Sequence, residues 1–224
     1  FEIIDEEDQK KIITEAIKQS VADPKNFVKK DVVLKMISEA ANEEKPVGFI
    51  AARWQTKAAG FTPAEIEKVA QYYAEKKKSM SVMDFDDLLI NGLKLLKESA
   101  SVRDIVQKKF LHVLVDEYQD TNTLQAEFSD IIAQRNRNIM AVGDDFQCIY
   151  TWRGAKIENI IRFPDRWSGC RIIKLERNYR SVPAILDIAN SVMHDAPKQF
   201  EKNLKPTRYA NDIRPRTYSV RDSK

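Results

Sequence analysis

The stretch HVLVDEYQDTN, residues 112–122, runs from an apolar segment directly into acidic residues. Residues 113–115 are typical of a buried strand, whereas Asp116 and Glu117 are of types that are rarely buried in a core. In open parallel α/β sheets, ligands bind at the carboxyl ends of the strands. The stretch therefore predicts a strand that presents two carboxylates at the ligand-binding edge of a sheet, where they can hold a divalent metal and orient water.

These acids also allow simpler explanations. They can solvate the end of a strand, while Asp120 or Asn122 caps the next helix. A further alternative is a metal-dependent phosphohydrolase or nuclease that uses Asp116, Glu117 and Asp120 and nicks DNA with Mg²⁺ but without ATP. The sequence shows no second cluster of metal-ligand residues to support that alternative.

Apolar runs and helical patterns alternate on the carboxyl side of this stretch. Runs of four or five apolar residues between helices are typical of a parallel sheet that is covered on both faces. The pattern predicts strands in LHVLV (111–115), NIMAV (138–142) and CRIIKL (170–175), and helices through Leu124, Phe128, Ile131 and Ile132, near 156–163 and near 182–193.

The amino-terminal half adds one strand and a long helical segment. Residues 1–4 (FEII) read as a strand, and Asp5 can cap the helix that follows. Residues 19–102 read as helical throughout, with a capping box that begins at Thr62 and a second helix start at Asp84. Together the two halves predict an α/β domain interrupted by a helical insertion.

The composition fits a globular protein that is rich in charge. The 224 residues are 43% apolar and 32% charged, with a net charge of +3 that weakly favours a polyanionic partner. Cys148 and Cys170 form no spaced metal or disulfide framework, so we expect reduced thiols and a cytoplasmic location. No apolar run approaches the length of a membrane span, and we expect no membrane association.

Two further stretches place a polar loop after a predicted strand, namely MAVGDDFQCIYTWRGA (140–155) and LERNYRS (175–181). Together with VDEYQDTN (115–122), they resemble motifs III, IV and II of superfamily 1 ATP-dependent DNA helicases of the UvrD/Rep/PcrA type, with similar order and spacing. FEIIDEEDQ at the start and MDFDDLL (83–89) extend the resemblance over most of the chain. The resemblance implies a RecA-like P-loop NTPase parallel sheet with an inserted all-helical subdomain.

The resemblance also implies a nucleotide site that uses ATP and Mg²⁺. Asp116 corresponds to the acid that coordinates Mg²⁺, and Glu117 to the base that activates water. Gln147 corresponds to the glutamine that senses the γ-phosphate. Tyr179 corresponds to the residue that stacks on adenine, and Arg180 to the arginine that reaches the γ-phosphate from the second motor domain.

The partners implied by the resemblance are single-stranded DNA and single/double-strand junctions. Trp152 corresponds to the tryptophan on which a base stacks, although a buried core tryptophan is the alternative. Arg153 corresponds to a residue that links the DNA and nucleotide sites. The short spacing from Gln147 to Trp152 would let one loop touch both ligands. Phe146 departs from the family, where an acid commonly stands.

The resemblance divides the chain into four parts. Residues 1–18 and 103–177 correspond to the first RecA-like motor domain, and residues 19–102 to the helical insertion subdomain. Residues 178–224 correspond to the start of the second motor domain. We expect its exposed apolar helix to dock on the first domain, to swap between copies of the chain, or to form a homodimer contact.

A phosphate-binding loop of the form G-x-x-x-x-G-K-[ST] is absent, since none of the six glycines is followed by lysine. We therefore expect a fragment of a 3′–5′ DNA helicase that is inactive by itself as an ATPase or helicase. A non-catalytic nucleic-acid-binding or interaction module derived from a helicase is the alternative. It predicts binding to single-stranded DNA that nucleotide leaves unchanged.

Overall fold

The computed structural model describes residues 1–151, 154–197, 199–208, 216 and 218. These residues form helices joined by short strands that pair in parallel. The helices are α1 (Glu6–Ser20), α2 (Lys30–Glu43), α3 (Val47–Trp54), α4 (Pro63–Met80), α5 (Phe85–Glu98), α6 (Ala100–Lys109), α7 (Thr123–Ala133), α8 (Ile157–Ile161), α9 (Phe163–Arg166) and α10 (Pro183–Met193). The strands are β1 (Glu2–Ile3), β2 (Val82–Met83), β3 (Val113–Val115), β4 (Ile139–Ala141), β5 (Arg177–Asn178) and β6 (Lys205–Pro206).

Polar caps begin the helices at the predicted residues. The Asp5 side chain accepts a hydrogen bond from the Asp8 N–H at 2.9 Å. Thr62 and Asp84 each begin a complete capping box. Asn122, rather than Asp120, caps α7 through a third capping box. Because each cap satisfies backbone N–H groups that have no partner within the helix, these local patterns fix the helix starts.

The amino-terminal core is mostly helical. Its fully buried side chains come from α1, α2, α3 and α4, and they include Ile13, Val33, Met36, Ile50 and Ile66. The prediction that residues 19–102 are helical throughout was wrong at β2, which pairs in parallel with β1. Ser81 ends α4 with a left-handed backbone, and its carbonyl accepts the Glu2 N–H, so the next two residues lie alongside β1.

A second core lies under the β3–β4 pair. Val113 and Val115 of β3, with Ile139 and Ala141 of β4, pack against a buried cluster that contains Tyr118, Phe163 and Trp167. Leu114 and Met140 point to the opposite, exposed face of the pair. The predicted buried strand is therefore present, but it is covered on one face in the described structure.

The strand predicted in CRIIKL is not formed, which corrects the sequence prediction. The backbone of residues 171–176 has no regular secondary structure, and Leu175 is 78% exposed. Among the described residues no strand pairs with this segment, so its apolar pattern has neither ladder hydrogen bonds nor a covering layer. The parallel strands consequently form separate two-stranded pairs instead of one sheet.

Within the described residues, none of the helices is both long enough and apolar enough to cross a membrane.

Candidate nucleotide and DNA site

The two acids that follow β3 are exposed at its carboxyl end. The Asp116 Oδ1 atom accepts a hydrogen bond from the Glu117 N–H at 2.9 Å. Glu117 has a left-handed backbone with φ of 49°, an unusual conformation for a glutamate. This residue turns the chain from the strand into the short turn Tyr118–Asp120. Both carboxylates therefore face solvent, where a metal ion or a water molecule can reach them.

Gln119 connects Glu117 to the loop after β4. Its side chain is fully buried, and its Nε2 donates to Glu117 Oε2 at 2.7 Å. Its Oε1 accepts the Asp144 N–H at 3.0 Å. A buried amide whose donor and acceptor ends both have partners is rigidly held. The sequence does not single out Gln119; the available signal was a glutamine between acids in a turn that follows a buried strand.

The loop after β4 extends this network to Gln147. The Asp144 carboxylate accepts the Phe146 N–H at 3.1 Å through Oδ1 and the Gln147 Nε2 at 2.8 Å through Oδ2. Gln147 is itself exposed at the end of the short turn Asp145–Gln147. The structure thus brings Glu117 and Gln147 into one hydrogen-bonded relay, which runs Glu117–Gln119–Asp144–Gln147.

Gly143 allows the two strand ends to approach each other. A Cβ atom at this position would lie 2.6 Å from Gln119 Oε1, 2.8 Å from Ile160 Cδ1 and 3.2 Å from the Tyr118 backbone nitrogen. The requirement for glycine is therefore steric, since its φ is not positive. A larger residue would push Gln119 out of the relay.

Asp120 shares a hydrogen-bond donor with Glu117, since Gln119 Nε2 lies 3.4 Å from Asp120 Oδ2 and 2.7 Å from Glu117 Oε2. The Asp120 Oδ1 atom is buried without a hydrogen-bond partner among the described residues. Burial, followed by the charge of Asp120, raises the pKa of the nearby Cys148 thiol. No group of three or more His, Cys, Asp and Glu side chains suited to hold a metal occurs in the described part of the chain. This geometry gives no support to the nuclease alternative.

Tyr179 and Arg180 lie in an exposed turn after β5. The Asn178 Oδ1 atom accepts the Arg180 N–H at 3.0 Å and the Ser181 N–H at 2.7 Å, which fixes the turn. Tyr179 is 70% exposed. In the described residues no hydrogen bond or ion pair joins Arg180 to Asp116, so the structure does not bring this pair together.

Trp152 and Arg153, the expected DNA-binding residues, lie outside the described residues. The position that follows them is described. Gly154 has φ of 86°, and a Cβ atom there would lie 3.7 Å from the Cβ atoms of both Asn42 and Asn122. The Asn122 side chain donates to Asn42 Oδ1 at 2.5 Å. The end of this loop therefore rests on the contact between α2 and the start of α7.

Comparison with known proteins gives a consistent set of relatives. The model of the UvrD/REP helicase N-terminal domain matches residues 1–168. The ATP-dependent DNA helicase PcrA of Bacillus subtilis (strain 168) is 37% identical over 205 residues, which cover 91% of this chain and 27% of that protein. A probable DNA helicase II homolog of Rickettsia felis is 35% identical over 208 residues, which cover 91% of this chain and 31% of the relative. The chain thus spans less than a third of the length of these curated relatives.

Proposed function

Because the chain belongs to the UvrD/REP helicase N-terminal domain family, with the RecA-like α/β fold of that family, we propose that it is part of a 3′–5′ DNA helicase. The parent helicase couples ATP hydrolysis to movement along single-stranded DNA and to unwinding at single/double-strand junctions. The observation that carries the proposal is the relay from Glu117 to Gln147. It links the acids after β3 to the loop that continues to Trp152.

The exposed acids fit the chemistry of ATP hydrolysis. Asp116 offers one carboxylate to Mg²⁺, which usually binds through one or two carboxylates together with phosphate oxygens and water. A Mg²⁺ ion held by Asp116 would offset the negative charge of the phosphates. Glu117 accepts a proton from the attacking water, and the hydrogen bond from Gln119 to Oε2 sets the orientation of this base.

The remaining site residues act around the same nucleotide. Gln147 senses the γ-phosphate at the far end of the relay. Tyr179 stacks on adenine and Arg180 stabilises the γ-phosphate from the start of the second motor domain. Both are exposed, so they are free to meet a nucleotide when the two motor domains close. Such an arginine typically contributes about 10³–10⁵-fold in rate.

Trp152 binds single-stranded DNA by stacking against a base. A base stacked on an aromatic ring gains roughly 1–3 kcal/mol without regard to sequence, as a moving enzyme requires. Arg153 links this contact to the nucleotide site. Since Trp152 follows Gln147 in one loop, occupancy by ATP would alter the hold on DNA through the relay.

The domain assignment belongs to the same proposal. Residues 1–18 and 103–177 form part of the first motor domain, residues 19–102 form the helical insertion, and residues 178–224 begin the second. The exposed face of α10 favours a homodimer contact, because Ile185, Ile188 and Val192 lie uncovered on it. The parent would act in the cytoplasm, in DNA repair or replication.

A non-catalytic module that binds single-stranded DNA is the second candidate function, and it is favoured because the sequence G-x-x-x-x-G-K-[ST] does not occur in the 224 residues. Without the backbone amides and the lysine of that loop, we propose that this chain alone neither hydrolyses ATP nor unwinds DNA. Such a non-catalytic module would still bind single-stranded DNA through Trp152, but it would not use the nucleotide site.

The test is fluorescence anisotropy of labelled single-stranded DNA titrated with the chain across a salt series, with and without Mg·ATP. We expect binding that weakens with salt, and a loss of about 5- to 150-fold in Trp152→Ala, the equivalent of one stacked base. Phe49→Ala, which removes an exposed aromatic ring from α3, is the matched control. Undetectable DNA binding by a folded chain, or equal binding by Trp152→Ala, would contradict the proposal.

A further inference from the structure

The segment after α10 is fastened to the loop after β4 by a set of contacts that we name the Lys202 clasp. The clasp consists of Phe200, Lys202, Asp144, Asp145 and Phe146. Lys202 Nζ lies 2.6 Å from Asp144 Oδ1, forms an ion pair with Asp145, and sits 4.0 Å from the centre of the Phe146 ring. The Phe200 N–H donates to Asp145 Oδ2 at 2.8 Å.

The clasp is shielded from water at Lys202 and Asp145, whereas the Asp144 side chain is 34% exposed. The Lys202 side chain is 13% exposed and that of Asp145 is 2% exposed. Phe200 also packs against the core under β3 and β4. A surface ion pair contributes little, but a buried pair that loses one partner leaves an uncompensated charge. Removal of Lys202 would therefore leave the buried Asp145 carboxylate without a compensating charge.

Asp144 shares its two carboxylate oxygens between the clasp and the relay. Oδ1 accepts from Lys202 and from the Phe146 N–H, and Oδ2 accepts from the Gln147 side chain. Fixing one oxygen fixes the rotation of the carboxylate and therefore the position of the other. Burial acts to raise the pKa of Asp144, but the hydrogen bonds from Lys202 and Gln147 outweigh it and lower the pKa overall. Lys202 therefore stabilises the carboxylate form of Asp144, the form that accepts the hydrogen bond from Gln147.

We propose that Lys202 is a positioning residue: it holds Gln147 through the Asp144 carboxylate, and it acts on Glu117 through the Asp144 backbone N–H that Gln119 accepts. The roles of Gln147 and Glu117 rest on the proposed function; the coupling itself rests on the contacts of the clasp. When Lys202 leaves, the adjacent carboxylates of Asp144 and Asp145 lose their shared cation, and their mutual repulsion favours rotation of the Asp144 side chain. Displacement of the segment after α10, which carries Lys202, would thereby weaken the hold of Asp144 on the Gln147 side chain. Phe146, which departs from the family pattern, completes the clasp as the ring under the Lys202 ammonium group.

The test uses NMR of the full chain, without DNA or nucleotide. Lys202→Met keeps the length of the side chain and removes its charge. We expect the side-chain amide resonances of Gln147 and Gln119 to shift, and hydrogen exchange at the Phe200 amide to become about 10-fold faster. Lys202→Arg retains the charge and should return the resonances toward the wild-type positions.

Lys205→Met is the matched control, since Lys205 lies in the same segment but pairs at the surface with Glu176. Unchanged Gln147 and Gln119 resonances in Lys202→Met, or equal shifts in Lys205→Met, would overturn the inference. If Lys202→Met does not fold, Lys202→Gln provides the same comparison with one donor retained. The clasp requires no DNA, so its failure is distinct from a failure of DNA binding by the wild-type chain, which would overturn only the proposed function.

Discussion

Replacement of Gly143 by alanine tests the relay through its tightest contact. The new Cβ would lie 2.6 Å from Gln119 Oε1 and 2.8 Å from Ile160 Cδ1, both closer than carbon atoms tolerate. The Tyr118 backbone nitrogen at 3.2 Å leaves little room for the new methyl group to withdraw. Gln119 must therefore move away and give up its hydrogen bond with the Asp144 N–H.

The loss of folding free energy in Gly143→Ala is the sum of three contributions. Forcing one methyl group into a packed core costs about 1–3 kcal/mol. The lost hydrogen bond adds about 0.5–1.5 kcal/mol. The lower entropy of the unfolded alanine chain offsets about 0.4–1 kcal/mol. A net loss of roughly 0.5–4 kcal/mol should lower the urea midpoint of the β3–β4 region by about 0.25–2 M, at a typical dependence of about 2 kcal/mol per M.

The assay is hydrogen exchange followed residue by residue in increasing urea. Gly143→Ala should remove the protection of the Asp144 amide, because its acceptor is Gln119 Oε1. Gly169→Ala is the control: a Cβ there meets nothing within 4 Å, and only the φ of 82° makes it unfavourable. It should destabilise the fold without selective loss at Asp144. Protection of the Asp144 amide in Gly143→Ala equal to that in the wild type would refute the steric argument.

Three further predictions concern the helical core, the loop contact and hydrolysis. Lys77→Met leaves the buried Asp84 without its cation, and thermal unfolding should show a loss of about 3–5 kcal/mol. Burial acts to raise the Asp84 pKa, but the hydrogen bonds from Lys77 and from the Asp87 N–H outweigh it and lower the pKa below 3.8 overall. The stability that this carboxylate contributes is therefore present above about pH 4 and is lost as the pH falls. Acid titration of unfolding should show a weaker fall in Lys77→Met. Asn42→Ala removes the contact with Asn122, and we expect about 1 kcal/mol lower stability in urea unfolding and weaker binding of single-stranded DNA by anisotropy. A coupled-enzyme assay should detect no DNA-stimulated ATP hydrolysis by this chain; a clear signal that Glu117→Gln abolishes would contradict that prediction.

Features that depend on neighbouring residues in the sequence were predictable. The caps at Asp5, Thr62 and Asp84 were confirmed because each cap satisfies donors within its own first turn. Strands β3 and β4 were also confirmed, since their apolar runs bury one face against a core supplied by the next helices. The position of the acids at the end of β3 followed directly from the strand.

Features that depend on distant residues were not predictable. CRIIKL has the pattern of a strand, but a strand forms only where another strand and a covering layer meet it, and the described residues supply neither. Gln119 offers only the signal of a glutamine between acids after a buried strand, and Lys202 offers none. Their roles arise because the ends of β3 and β4 and the segment after α10 come together in space.

The most direct test of the account is the affinity of Gln119→Leu for single-stranded DNA, measured by fluorescence anisotropy. Leucine fills the space of Gln119 but leaves the Asp144 N–H and the Glu117 carboxylate without their partner. With a coupling of roughly 0.5–2 kcal/mol, we predict about 2- to 30-fold weaker binding and an unchanged salt slope, since no phosphate contact is removed. Gln71→Leu, an exposed amide on α4, should bind as the wild type does. Wild-type affinity in a folded Gln119→Leu variant would show that the acids after β3 and the DNA-binding loop are not coupled.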